Sequence, residues 1–175
     1  MSQTSVRRMN RIHVIGGKNH GKTTLVGELL VELRARGLRV GAIKHTHHHH
    51  ELDTPGKDSH RHRESGASVV GILSPGMNAV FWSNGRYGEG DDDPRYDSFA
   101  PMFAECDIVL VEGDSQTAAP KLEVWRSELG TPLLANRITG VRCVVTNDPL
   151  DRALPQLPRS DVSAVAEFVL HTVKD

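Results

Sequence analysis

A three-layer α/β sandwich around a mostly parallel β-sheet is the fold this sequence predicts, and three observations predict it. The run Gly16-Gly17-Lys18-Asn19-His20-Gly21-Lys22-Thr23 fits G-x-x-x-x-G-K-[ST], the phosphate-binding P-loop, without a mismatch. A β-branched stretch, Arg11-Ile12-His13-Val14-Ile15, precedes it, and Leu25, Val26, Leu29, Leu30 and Leu33 follow at helical spacing. Further strand candidates then alternate with helix candidates to the end of the chain. Strand, glycine loop and helix form the context that gives the motif meaning, so the fold expected is of the P-loop NTPase type.

The first helix is expected to stop at Gly37, a C-cap residue. Arg39 to Lys44 reads as the second strand. A polar, histidine-rich stretch follows from His45 to Arg63, and Lys57 to Glu64 within it reads as a helix beginning after Pro55-Gly56. Ala67 to Leu73 is a third strand, with Asn78 to Trp82 pairing beside it across the Pro75-Gly76 turn. Gly85 to Pro94, rich in glycine and aspartate, reads as an exposed loop, and Tyr96 to Glu105 as a helix. Ile108 to Val111 is apolar on both faces, as a central parallel strand should be. Lys121 to Arg126 and Arg142 to Thr146 are further strands. Asp161 to Thr172 closes the chain as a helix capped by Asp161 or Ser160, with Val165, Phe168 and Val169 on one face.

With 175 residues, 38% of them hydrophobic and 25% charged, the chain suits one nucleotide-binding domain over residues 11–175 behind a flexible tail, residues 1–10. The tail carries Arg7 and Arg8 but lacks the apolar centre of a signal peptide. No apolar run approaches the roughly 20 residues of a membrane span, and a net charge of −1 supplies no basic field for nucleic acid. Cys106 and Cys143 lie in or beside apolar strands and read as buried small residues, not as a disulfide or metal pair. A cytoplasmic protein is expected.

The P-loop chemistry needs these residue types in this order. Glycines let the amides of Gly17, Lys18, Asn19, His20 and Gly21 converge on phosphate oxygens, and the helix directs its positive end to the same point. Lys22 is expected at the β/γ phosphates, the Thr23 hydroxyl on Mg²⁺, and Thr24 beside them. Asp107-Ile108-Val109-Leu110-Val111-Glu112-Gly113 is a buried strand ending in a carboxylate, the form of a Walker B element. Glu112 at the crevice can hold Mg²⁺ directly or through water, or orient an attacking water; a strand-end acid is the plain alternative.

Seven of the ten histidines fall between His45 and His62. Such a tract can bind zinc or nickel, but its place after the second strand suits a nucleotide-linked switch, with Asp53 reaching Mg²⁺ and Lys57 and Asp58 near the phosphates. The late segment Thr146-Asn147-Asp148 ends a strand with polar groups. Asp148 can accept hydrogen bonds from the N1–H and 2-amino group of guanine, although the spacing departs from the usual guanine signature and a turn capped by Asp148 explains the segment as well. No Gln or Arg stands out as the water-activating or charge-stabilising residue of a fast GTPase, so slow hydrolysis is expected.

These residues together resemble the molybdopterin-guanine dinucleotide biosynthesis protein B (MobB) family. The marks are Gly21-Lys22-Thr23-Thr24, the stretch from Arg36 to His48 (R-G-L-R-V-G-A-I-K-H-T-H-H), D-T-P-G-K-D-S from Asp53 to Ser59, R-H-R-E-S-G-A from Arg61 to Ala67, and L-V-E-G from Leu110 to Gly113. The likeness spans about Arg11 to Val169. It implies a GTP-binding protein with weak GTPase activity that assists the guanylyltransferase MobA in making the guanine dinucleotide form of molybdenum cofactor. Contacts with molybdopterin or molybdoenzyme chaperones fit the same role. It also implies a homodimer and a β extension including Asn78 to Tyr87, with Asn147 and Asp148 near guanine. Two departures stand out: Asp114 and Ser115 replace the family's usual Phe and Lys, and the histidine run extends through His49 and His50.

The expected assignment is therefore Lys22 and Glu112 for chemistry and Thr23, Asp53 and Glu112 for Mg²⁺. Two other classes remain open: a metallochaperone GTPase using the histidines, and a small-molecule kinase with its acceptor near Asp58 and Arg61.

Overall fold

The computed structural model describes residues 9–46, 51–82, 94–151 and 153–173. Where the sequence reads as one domain from residue 11, backbone proximity groups the chain into two compact units, Met1–Thr46 with Glu89–Asp175, and His47–Gly88.

The first unit is built on a six-stranded sheet. Its strands are β1 (Arg11–Ile15), β2 (Val40–Lys44), β5 (Ile108–Glu112), β6 (Lys121–Val124), β7 (Val141–Val145) and β8 (Gln156–Leu157), in the order β2-β5-β1-β6-β7-β8. Every pairing in it is parallel. The α/β sheet expected from the sequence is therefore present, and β5 lies inside it between β2 and β1, as its two apolar faces require.

Strand alternation divides the sheet into two faces. Ile12, Val14, Ile108, Leu110, Leu122, Val124, Cys143 and Val145 pack with Leu25, Leu29 and Leu33 of α1 (Lys22–Ala35) and Val165 and Val169 of α4 (Val162–Thr172). Val109 and Val111 face the other way, against Tyr96, Phe103 and Cys106. Helix α1 closes in a Schellman motif, Leu38 N–H to Leu33 O at 3.2 Å and Gly37 N–H to Arg34 O at 2.9 Å, which satisfies its last carbonyls. Asp161 caps α4 by accepting from Ala164 N–H at 2.9 Å.

Two local expectations are corrected. The helix expected over Tyr96 to Glu105 is α3 (Pro94–Phe99) followed by a 3-10 turn, Ala100–Phe103. Pro101 has no N–H to continue an α-helical ladder, and it stands at the start of the 3-10 turn, where an N–H would have no partner within the turn. The strand expected to reach Arg126 stops at Val124, because the Arg126 N–H turns to a histidine of the P-loop. Strand β8 is two residues long and carries no periodic signal in the sequence.

The second unit holds α2 (Asp58–Glu64) and an antiparallel hairpin of β3 (Val69–Leu73) and β4 (Asn78–Trp82), in register from Val69 opposite Trp82 to Leu73 opposite Asn78. Val69, Leu73 and Val80 share one face of this hairpin and are exposed. The loop expected over Gly85 to Pro94 falls almost wholly outside the described residues. Among the described residues no helix is long and apolar enough to cross a membrane.

Candidate functional site

The P-loop leaves β1 through Gly16, where a Cβ would collide with the Val124 carbonyl oxygen; only glycine lets the loop lie this close to β6. Asn19 takes a left-handed conformation with φ 66°, and Gly21 is the N-cap of α1 with φ 95°. Gly21 has no side chain to satisfy the first amides of α1, and the first turn carries no acid. Those amides and the helix dipole suit an anion. Lys22 arches back over the loop, donating from Nζ to Gly17 O at 2.7 Å and Gly16 O at 3.0 Å. Burial lowers its pKa, Glu112 opposes that shift and Lys44 adds to it.

On one side of the loop, Thr23 Oγ1 donates to Glu112 Oε1 at 2.6 Å, and Lys44 Nζ stands 3.4 Å from the same oxygen. The Glu112 side chain is only 14% exposed. A hydroxyl and a carboxylate oxygen meeting at an anion site suit a hard cation such as Mg²⁺, which takes few protein ligands and shares the rest with phosphate and water. Lys22, Thr23 and Glu112 are thus brought together as the sequence predicts; Lys44 joins them without having been foreseen.

On the other side, buried His20 pins the loop to the segment after β6. Its Nδ1 accepts from Arg126 N–H at 3.0 Å, so Nε2 carries the proton and donates to Thr131 Oγ1 at 2.7 Å. Burial first, then Lys22 and Arg126, lower its pKa. The next amide, Ser127 N–H, donates to Asp148 Oδ2 at 2.7 Å and holds that carboxyl below its ordinary pKa. Asp148 N–H bonds Thr146 Oγ1 at 3.0 Å, and Asn147 Oδ1 accepts from Ser160 N–H at 3.1 Å. Asn147 and Asp148 therefore shape the turn after β7 as well as standing at the crevice edge. Arg126, whose guanidinium lies over Gly21, is the cation that sequence reasoning missed.

Behind Glu112 lies a buried polar cluster that no motif announces. Asp114, in a left-handed conformation with φ 54°, accepts from Tyr96 OH at 2.8 Å and lies 3.8 Å from His45 Nε2. His13 Nδ1 lies 3.1 Å from Gly113 O and 3.0 Å from Asp114 O, so that nitrogen is the donor. Burial pushes the His13 pKa down to about 4. Arg11 stacks on Tyr96, 4.2 Å from the ring centroid. The available signal was polar residues, Arg11 and His13, at alternate positions of an otherwise apolar strand. Asp114, a departure from the family pattern, is the hub of this cluster.

Asp53 belongs to the second unit, where its Oδ1 accepts from Ser59 Oγ at 2.9 Å and Thr54 N–H at 2.8 Å. His47 to His50 lie outside the described residues. Among the described residues no three His, Cys, Asp or Glu side chains are grouped to hold a metal ion. Both cysteines are free; Cys143 is buried and its thiol pKa is pushed up to about 12.

The chain is 36% identical over 163 residues to a molybdopterin-guanine dinucleotide biosynthesis adapter protein of Haemophilus influenzae, covering 89% of this chain and 85% of that one. It is 33% identical over 153 residues to the protein of that name from Escherichia coli, covering 86% and 85%. Its structure is similar to a crystal structure of molybdopterin-guanine biosynthesis protein B, with TM-score 0.69, 27% identity, and 94% and 99% of the two chains covered. A MobB homolog from Bacillus stearothermophilus gives 0.66 at 25% identity, covering 95% and 99%. Residues 11–147 match the family described as molybdopterin guanine dinucleotide synthesis protein B, and the chain belongs to that family.

Proposed function

We propose that this protein is a GTP-binding adapter in molybdopterin guanine dinucleotide synthesis, a slow Mg²⁺-dependent GTPase that assists a MobA-like guanylyltransferase. The observation that carries the nucleotide reading is the Thr23–Glu112 contact, 2.6 Å long, beside Lys22 at the uncapped start of α1. The α1 amides bind the phosphate oxygens, and Lys22 gives up its loop carbonyls for the β/γ phosphates. Thr23 and Glu112 would hold Mg²⁺, which would supply counter-charge to those phosphates. Glu112 is engaged by Thr23 and Lys44, so it serves as ligand and charge partner, not as a free base. That supports slow turnover.

The adapter role is carried over from the relatives named above. A homodimer is supported by the exposed apolar face of Val69, Leu73 and Val80 on one side of the hairpin. Competition binding of GTP against ATP, with Lys22→Ala as the control, tests the nucleotide reading. GTP preference lost in the variant supports it, and equal binding by folded Lys22→Ala places the site elsewhere. Sedimentation of Leu73→Glu should show a shift from dimer to monomer.

A further inference from the structure

Arg126 stands where a cation is electrostatically unfavourable. Its backbone is tied to the P-loop through His20, and its guanidinium lies along Gly21, where an added Cβ would be 3.2 Å from Nη2 and 3.8 Å from Cζ. Gly21 caps the positive end of α1, with Lys22 next in sequence. The anion facing Arg126 is Glu128 at 3.5 Å, an exposed pair of small value. Such a placement suits a ligand that itself attracts a planar cation.

Strand order says which part of the ligand that is. Along the crevice edge, Glu112 ends β5, the P-loop follows β1, Arg126 follows β6 and Asp148 follows β7. From Glu112 to Asp148 is three strand spacings, about 14 Å, the scale of an extended nucleoside triphosphate. A ligand with its terminal phosphates at Thr23 and Glu112 must pass over Arg126 before reaching Asp148. The Ser127–Asp148 hydrogen bond keeps those two stations adjacent.

We infer that Arg126 binds the nucleoside half of the ligand, its guanidinium stacked on the purine face, and is a determinant of nucleoside affinity and not of phosphate binding. This rests on the nucleotide reading above. Stacking needs the flat, delocalised guanidinium, which a lysine ammonium does not reproduce.

Isothermal titration of GTP, GDP and inorganic tripolyphosphate into wild type, Arg126→Ala and Arg126→Lys tests it. Arg126→Ala should weaken GTP and GDP equally, by about tenfold, with tripolyphosphate affinity unchanged. Arg126→Lys should not restore binding. Equal loss of tripolyphosphate affinity would make Arg126 a phosphate ligand, and a fall in turnover alone would make it a transition-state arginine; either overturns the assignment, as does unchanged GTP and GDP binding. Wild-type protein that binds tripolyphosphate but no nucleotide overturns the nucleotide reading itself, and this inference with it.

Discussion

The Thr23 hydroxyl donates a 2.6 Å hydrogen bond to the Glu112 carboxylate across 89 residues of sequence, joining the first turn of α1 to the end of β5. The bond aligns two oxygens whose neighbours are otherwise cations, Lys22 and Lys44.

Glu112→Gln keeps the shape and an acceptor for Thr23 but removes the charge. GTP affinity without Mg²⁺ should stay within about twofold, while Mg²⁺-dependent turnover falls at least about tenfold. Hydrolysis measured across a Mg²⁺ titration checks this; an unchanged maximal rate would reduce Glu112 to a strand-end acid.

Lys22→Ala should cost about 1.5–3 kcal/mol of triphosphate binding, roughly 10- to 100-fold, without lowering the melting temperature of the free protein appreciably. The side chain donates to two loop carbonyls, and Glu112 keeps Thr23 and Lys44 as partners, so its removal leaves no buried charge unpaired. Titration calorimetry beside thermal melts separates the two effects.

Tyr96→Phe should destabilise the fold by about 1–2 kcal/mol, because the Asp114 carboxylate loses a buried donor while the ring keeps its packing. Urea unfolding gives the number. A neutral result would mean that Asp114 is satisfied by its other neighbours.

Stability should fall as acid is added below about pH 6.5. The folded protein holds His13 at about 4 against an ordinary 6.5, so between those values the unfolded chain binds a proton that the folded chain refuses. The contribution is complete above pH 6.5 and is lost on the way down to about 4; the full displacement amounts to about 3 kcal/mol. Asp148, held below its ordinary value, adds a loss of the same sign at lower pH. His13→Asn should flatten the profile between pH 6.5 and 4, and an unchanged slope in denaturation midpoints would contradict the assignment.

The histidine run separates a switch from a metal carrier. Replacing the extra pair, His49→Asn with His50→Asn, should leave GTP binding close to that of the parent. A metal serving the function must bind differently with GTP and GDP and change GTP affinity reciprocally. Zinc titrations in both nucleotide states would sink the switch reading if a stoichiometric, coupled metal disappeared in the variant.

What the sequence made legible was local. Lys22, Thr23 and Glu112 sit in motifs whose spacing dictates where they project, and β5 announced itself through unbroken apolar residues. The His20–Arg126 bond spans 106 residues and the Ser127–Asp148 bond 21, and neither leaves a periodic trace. Pro101 could have shortened the expected helix before Glu105, since it lacks the N–H an α-helix needs there. Asp114 was visible as a departure, but Tyr96, the partner of its carboxylate, lies 18 residues away.

The two faces of the central sheet impose different rules on change. Against α1 and α4 the contacts are apolar and without direction, so residues such as Val14 or Leu122 can drift among side chains of similar volume with modest penalties. Across the sheet, Tyr96 stacks under Arg11 and donates its hydroxyl to the Asp114 carboxylate, while His13 donates to the Asp114 main-chain carbonyl, so the contacts are directional. Substitutions there should travel in sets, so lineages that carry Asp114 are expected to carry Tyr96 with it.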